Sequence, residues 1–278
     1  MYKKIIGLGI AMSLLLLSAP AVAAVQRQAA TLFTPGTEKV LKLPAAADGS
    51  PVISLGQAID PGTGQAVEGY AFVHYKNEMA KGGNKGKPPG ESGEGACYSF
   101  LANGANWKTV EPWIVNPTNV EGLDENFVVG NLAADITKWE TAAEGIDVLG
   151  NGSQTSDELI ADTAAPDNLN EVYFGDVDSP GAIGVTIVWG VFRGKPSERQ
   201  LVEWDQVYDQ VDFDWSDSGE MGKMDFENIA THELGHSVGM GHPNDSCTEE
   251  TMYRLADFGE TKKQTLEAGD IAGVKALY

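Results

Sequence analysis

Histidine is scarce in this sequence: there are four in 278 residues, and three of them fall between positions 232 and 242. Positive charge is also short, with 19 Lys and Arg against 40 Asp and Glu, a formal net charge of −21. A surface this acidic repels phosphate backbones and anionic lipid, so neither nucleic acid nor a membrane surface is an expected partner. Cysteine occurs only twice, at Cys97 and Cys247. One apolar run lies near the start, no second membrane segment follows, and there are no internal repeats.

That single run has a specific form. Met1-Tyr2-Lys3-Lys4 precedes apolar residues through Leu17, and Ala21-Val22-Ala23 supplies small residues for processing. This predicts a secretory signal peptide over 1–23, cleaved after Ala23, and hence a secreted, extracellular protein. The run is short for a transmembrane anchor, so no stable membrane insertion is expected after cleavage. No cysteine lies near Ala23 to carry a lipid. Cleavage would remove Lys3 and Lys4 and no acids, taking the net charge from −21 to −23. In an exported chain two cysteines form one disulfide by default, so Cys97 and Cys247 are the expected pair.

The organisation beyond the signal segment is uneven. Residues 24–80 hold short apolar stretches, among them Val40–Leu43 and Gly69–Tyr75, broken by Pro and Gly. They read as a few strands of an N-terminal segment, either a pro-segment or a small module. His74, on an alternating strand, is expected at the surface or half-buried. Residues 81–96 are rich in Gly, Pro and Lys, which predicts a flexible linker and a domain boundary. From Cys97 to Tyr278 the pattern is that of one α/β domain. Trp113–Asn116 predicts a strand stopped by Pro117. Val128, Leu132, Ile136, Trp139 and Ala143 mark the apolar face of a helix over roughly 124–143. A polar loop is expected over 145–170, with strands over 171–174, 183–192 and 201–208. A helix capped by Asp225 follows, and a last helix from Thr265 should bury Ile271, Val274, Leu277 and Tyr278.

The helix after Asp225 carries the chemistry. His232-Glu233-Leu234-Gly235-His236 places two imidazoles four residues apart, on one helical face, where both can reach one metal ion. Glu233, beside the first ligand, can take a proton from a metal-bound water without binding the metal. Gly239 lets the backbone leave the helix and bring His242 back as a third ligand. Three neutral imidazoles suit Zn²⁺, and three protein ligands leave a position for water, as in catalytic sites.

His232 to His242 matches the metzincin zinc-peptidase signature H-E-x-x-H-x-x-G-x-x-H at every fixed position. Thr251-Met252-Tyr253 resembles the Met-turn of that group, and Leu266–Tyr278 resembles the last helix of matrixin (matrix-metalloprotease-like) catalytic domains. The resemblance implies an α+β zincin fold: a twisted mixed sheet, an active-site helix and a C-terminal helix. It implies that Met252 packs beneath the metal, and that Ile183–Phe192 is the edge strand of the cleft, to which an extended peptide could add. Three departures matter. Pro243 follows the third ligand, as in serralysins, but Arg254 stands where their extra tyrosine ligand would be. The histidines for a second, structural zinc are absent, so one zinc is expected. No cysteine-switch motif appears in residues 24–96; Cys97 as a thiolate cap on zinc is the alternative to the Cys97–Cys247 disulfide. Asp176, Asp178 and the Asp- and Glu-rich loops offer hard oxygen ligands for Ca²⁺.

The expected function is therefore a secreted, monomeric zinc endopeptidase acting on protein or peptide substrates, with His232, His236 and His242 as ligands and Glu233 as general base and acid. The alternative is a secreted zinc-binding module that recognises peptides without cutting them. Glu233 weighs against it, because a binder needs no general base.

Overall fold

The apolar runs pair into one nine-stranded sheet in the computed structural model, which describes residues 39–44, 50–76 and 96–278. The signal segment and the Gly/Pro-rich run up to residue 95 lie outside the described residues. In chain order the elements are β1 (Val40–Leu41), β2 (Val52–Ile59), β3 (Ala66–Lys76), β4 (Ser99–Phe100), β5 (Trp113–Asn116), helix α1 (Glu125–Ala142), β6 (Gly152–Gln154), β7 (Asn170–Val177) and β8 (Ala182–Val191). Then come β9 (Gln200–Asp209), β10 (Trp215–Ser216), β11 (Met224–Asp225), α2 (Phe226–Ser237), β12 (Met240–Gly241), β13 (Leu255–Ala256) and α3 (Ala268–Leu277).

The strand order is β13-β3-β8-β9-β7-β5-β6, with β1 on β7 and β2 on β3. β9, β7, β5 and β6 run parallel, whereas β8 is antiparallel to both its neighbours. β7, β8 and β9 are buried along nearly their whole length because both faces of the sheet are covered, which is why they read as continuous apolar runs. On one face α1 and α2 pack through Leu132, Trp139, Ile229 and Leu234 against Ile183, Trp204 and Tyr208. The other face joins Val185, Ile187, Trp189 and Val207 to Ile53, Val67 and Val73 of the N-terminal strands and to Leu159 and Ala161 of the β6–β7 connection. The stretch over 145–170, expected as a surface loop, therefore covers core, and it contains the short strand β6.

Local signals set the helices. Asp124 caps α1 by accepting from the Phe127 amide (3.0 Å), and the predicted stripe of Val128, Leu132, Ile136 and Trp139 is buried. Trp139 Nε1–H donates to the Thr231 carbonyl (2.8 Å), bolting α1 to α2. Asp225 caps α2 through the Asn228 amide (2.8 Å). α3 starts at Ala268 rather than Thr265, because a capping box between Glu267 and Asp270 fixes its first turn. Ile271 lies on its outer face, 37% exposed, while Val274 and Leu277 are buried.

β2 and β3 of the segment before residues 81–96 belong to the main sheet, and Glu68 through Tyr75 pair with β8 from Gly190 back to Ala182. One expectation is corrected: Ile183–Phe192 is not an edge strand. β8 would close the β6-β5-β7-β9-β8 sheet at its edge, but β3 occupies that edge. An antiparallel edge with free N–H and C=O groups accepts any complementary strand, and here the chain supplies its own.

Candidate metal centre

His232 and His236 stand one turn apart on α2, which is buried along almost its whole length. Their tautomers are fixed by what lies behind them. His232 Nδ1 sits 2.6 Å from the Thr251 carbonyl and His236 Nδ1 2.9 Å from the Met240 carbonyl. A carbonyl can only accept, so Nδ1 carries the proton in both rings and Nε2 is left as a bare lone pair. His242 comes round to meet them: its Nε2 is 3.1 Å from that of His236 and 3.3 Å from that of His232. One proton on His242 could satisfy only one of those two contacts. A tetrahedral ion with Zn–N bonds of about 2.0–2.1 Å separates its ligand atoms by about 3.3–3.4 Å, so the spacing fits zinc. Burial pushes the pKa of all three imidazoles well down, to about 3 for His236, and keeps them in the neutral form that binds metal. His232, His236 and His242 form a candidate metal-binding triad.

The turn that returns His242 depends on Gly239. Its φ is +105°, and a Cβ there would lie 2.8 Å from Leu277 and 3.0 Å from the Ala105 carbonyl. β12 then pairs antiparallel with β4, which positions the Met240 carbonyl behind His236. Gly235 has a different reason to lack a side chain. A Cβ at that position would collide with Met252 Sδ and approach Trp139 to 2.7 Å, so the fully buried Met252 packs against the bare backbone of α2. The Met252 segment is held from below by α3: Asp270 accepts from the amides of Thr251 (2.7 Å) and Met252 (3.2 Å). Cys97 and Cys247 are bonded to each other, joining the approach to β4 to the loop after His242. In the same loop Arg254 reaches Asp245 through Nε (2.7 Å) and Nη2 (3.2 Å).

Glu233 is fully buried beside the triad. Thr186 Oγ1–H of β8 donates to its Oε2 (2.6 Å), while Oε1 lies 3.3 Å from Nδ1 of His74. Burial raises its pKa to about 8, partly offset by Thr186 and by Lys263. A carboxylate so placed accepts a proton readily near neutral pH and can return it.

His74 departs from expectation. It is 1% exposed, and its ring stacks on His232 at 3.9 Å. Two residues earlier on the same face, Phe72 stacks on His236 at 4.6 Å and meets His242 edge-on at 6.3 Å. Alternation along β3 marks these two as sharing a face; which surface that face meets is a tertiary fact. Lys263 was not foreseen either. It is fully buried, with Nζ against the carbonyls of Thr251 (3.3 Å) and Tyr253, and burial brings its pKa down to about 7. Asp176 and Asp178, nominated for calcium, do not fall in any cluster of potential metal ligands among the described residues.

The matrixin family model matches residues 195–278, a segment that runs from the turn before β9 to the end of α3. Over 64 residues the chain is 41% identical to matrilysin of Homo sapiens, which covers 23% of each protein. Matrilysin of Rattus norvegicus is 38% identical over 74 residues, 27% of this chain and 26% of that one. Metalloendoproteinase 1-MMP of Arabidopsis thaliana is 41% identical over 68 residues, 24% and 18% respectively. The chain thus spans about a quarter or less of the length of these curated relatives. Over the segment that carries the three histidines and the methionine beneath them, this chain is similar to the matrixins.

Proposed function

We propose that the protein is a secreted zinc-dependent endopeptidase in which His232, His236 and His242 hold the metal and Glu233 is general base and then general acid. The observation that carries this is the convergence of three Nε2 atoms, two of them necessarily unprotonated, beside a buried carboxylate. Zinc bound there supplies a Lewis acid and an acidified water. Thr186 holds Oε2 of Glu233 and leaves Oε1 to take the proton of the attacking water. The same oxygen then delivers that proton to the departing amine, so the carboxylate ends as it began. Protein or peptide substrates are the reading favoured by the similarity to matrilysin and to the plant metalloendoproteinase. The N-terminal run of basic and then apolar residues supports export, and no helix among the described residues is long and apolar enough to cross a membrane.

Residues 24–80 are read as a pro-segment. β3 is antiparallel to β8 and parallel to β13, and sets Phe72 and His74 on the metal histidines. An extended peptide would need that same slot, so β3 must leave before a substrate can enter. Release would follow a cut in the Gly/Pro-rich run over 81–96.

The test is cleavage of a quenched peptide by zinc-loaded protein, intact and cut within that run, with and without a chelator, beside Glu233→Ala. Chelator-sensitive cleavage that is lost in a Glu233→Ala protein still holding one zinc per chain supports the peptidase. Bound zinc with no cleavage after the cut would replace it with the peptide-recognition module.

A further inference from the structure

Lys263 lies inside the metal centre without a part in the chemistry proposed for it. It belongs to the 3₁₀ turn Lys262–Gln264, between β13 and α3, and is 0% exposed. Its Nζ meets the carbonyls of Thr251 (3.3 Å) and Tyr253, and stands 5.4 Å from the centre of the Tyr253 ring. Taking an amino group out of water is costly, and an apolar side chain would fill the same space without that cost. A methionine or leucine could pack there; only a donor can hold those two oxygens.

The Thr251 carbonyl is also the acceptor of the His232 Nδ1–H (2.6 Å). It has two lone pairs, and His232 and Lys263 take one each. The N–H of the same peptide unit, that of Met252, donates to Asp270 Oδ1 (3.2 Å). One peptide plane is thus gripped at its oxygen by Lys263 and at its nitrogen by a buried carboxylate, and His232 hangs from it. Lys263 is itself tied to α2: its amide donates to Oδ1 of Asn228 (2.8 Å), one helical turn before His232. A closed circuit therefore runs from Asn228 through Lys263 and Thr251 to His232, and back along α2. Neutral or protonated, Nζ carries at least two hydrogens, one for each carbonyl, so the circuit does not depend on its charge.

We propose that Lys263 is a positioning residue of the metal centre: it fixes the Thr251 carbonyl, and through it the ring of His232 and the hold of that ligand on zinc. The inference rests on the zinc site of the proposed function. Groups behind a metal-bound imidazole set its tautomer and its orientation, and their loss weakens metal binding by about 10–100-fold. Lys263 acts one hydrogen bond further out, so the lower end of that range applies. The rival is a mere staple of the fold, which would contribute stability and leave the ligand geometry alone.

Two variants separate these roles. Lys263→Met keeps the length of the stem and removes both donors; Lys263→Gln stays polar but ends short of the two carbonyls, and is read in the same way should the first not fold. The rate at which zinc-loaded, full-length protein gives up its metal to a chromogenic chelator is measured for each. Beside it stand the melting temperature of the metal-free protein and the visible spectrum of the Co²⁺-loaded form. The expected result is zinc release about tenfold faster than in the wild type, an altered cobalt spectrum and a metal-free melting temperature no lower than that of the wild type. Release and cobalt spectrum unchanged in the folded variants would overturn the proposal, and a lower melting temperature alongside would make Lys263 a staple of the fold. A wild type that takes up no zinc would overturn the zinc site and this inference together. Zinc held by the wild type and lost faster by Lys263→Met, without any peptide cleavage, would sink the peptidase alone and support the role of Lys263.

Discussion

If β3 bars the cleft, weakening its seat should raise activity while it lowers stability, and Phe72→Ala separates the two effects. The Phe72 ring is 1% exposed and rests on His236 and His242. Removing a buried phenyl costs about 3–5 kcal/mol. At about 1.4 kcal/mol per factor of ten, the ratio of open to closed cleft should rise by roughly two to three and a half orders of magnitude. The assay pairs the cleavage rate of the uncut, zinc-loaded chain with hydrogen exchange at the amides of residues 66–76. Faster cleavage together with faster exchange in β3, and unchanged exchange in α1 and α2, is the expected outcome. A global loss of stability with cleavage unchanged or slower would refute the reasoning, because β3 would then be part of the fold and not a bar across it.

Gly235→Ala should destabilise by about 1–3 kcal/mol and weaken zinc retention, since the new methyl meets Met252 and Trp139; urea denaturation and metal content check this. The disulfide closes a loop of 150 residues, so Cys97→Ser with Cys247→Ser should cost up to about 5 kcal/mol in the chain-entropy account without raising peptidase activity. A rise in activity on reduction would restore Cys97 as a cap on the metal. Stability should fall as pH rises from about 5 to about 8, because burial raises Glu203 of β9 to about 8 and Asp162 of the β6–β7 connection to about 6. Glu203 and Asp162 have folded-state pKa values above their unfolded ones, so the native state binds more protons across that window. Thermal melts should show the slope in the wild type and a shallower one in Glu203→Gln.

The metal triad was legible because it is local: the four-residue helical spacing and one glycine turn bring His232, His236 and His242 together without any knowledge of the rest. Asp225, the stripe on α1 and the strands β5, β8 and β9 were legible for similar reasons, through capping chemistry and hydrophobic period. What failed was neighbourhood. Alternation along Gly69–Tyr75 identified a strand but not its partner, and pairing with β8 across more than a hundred residues leaves no trace in composition. The composition of the Gly/Pro-rich run does not tell that the strands on either side of it share a sheet. His74 and Lys263 were missed because a single titratable residue has no pattern; only the fold tells which of them is buried against Glu233 and the carbonyls of Thr251 and Tyr253.

The disulfide has a topological consequence. Both of its cysteines follow the Gly/Pro-rich run, so the one covalent cross-link ties the later part of the chain to itself and leaves β2 and β3 outside the closed loop. If β3 bars the cleft, then while the run is whole it acts as a tethered ligand at an effective concentration of about a millimolar or more. A single cut makes it an ordinary peptide that dilution can carry away. The protein would then be a single-use latch, and its opening after the cut would depend on volume as much as on affinity.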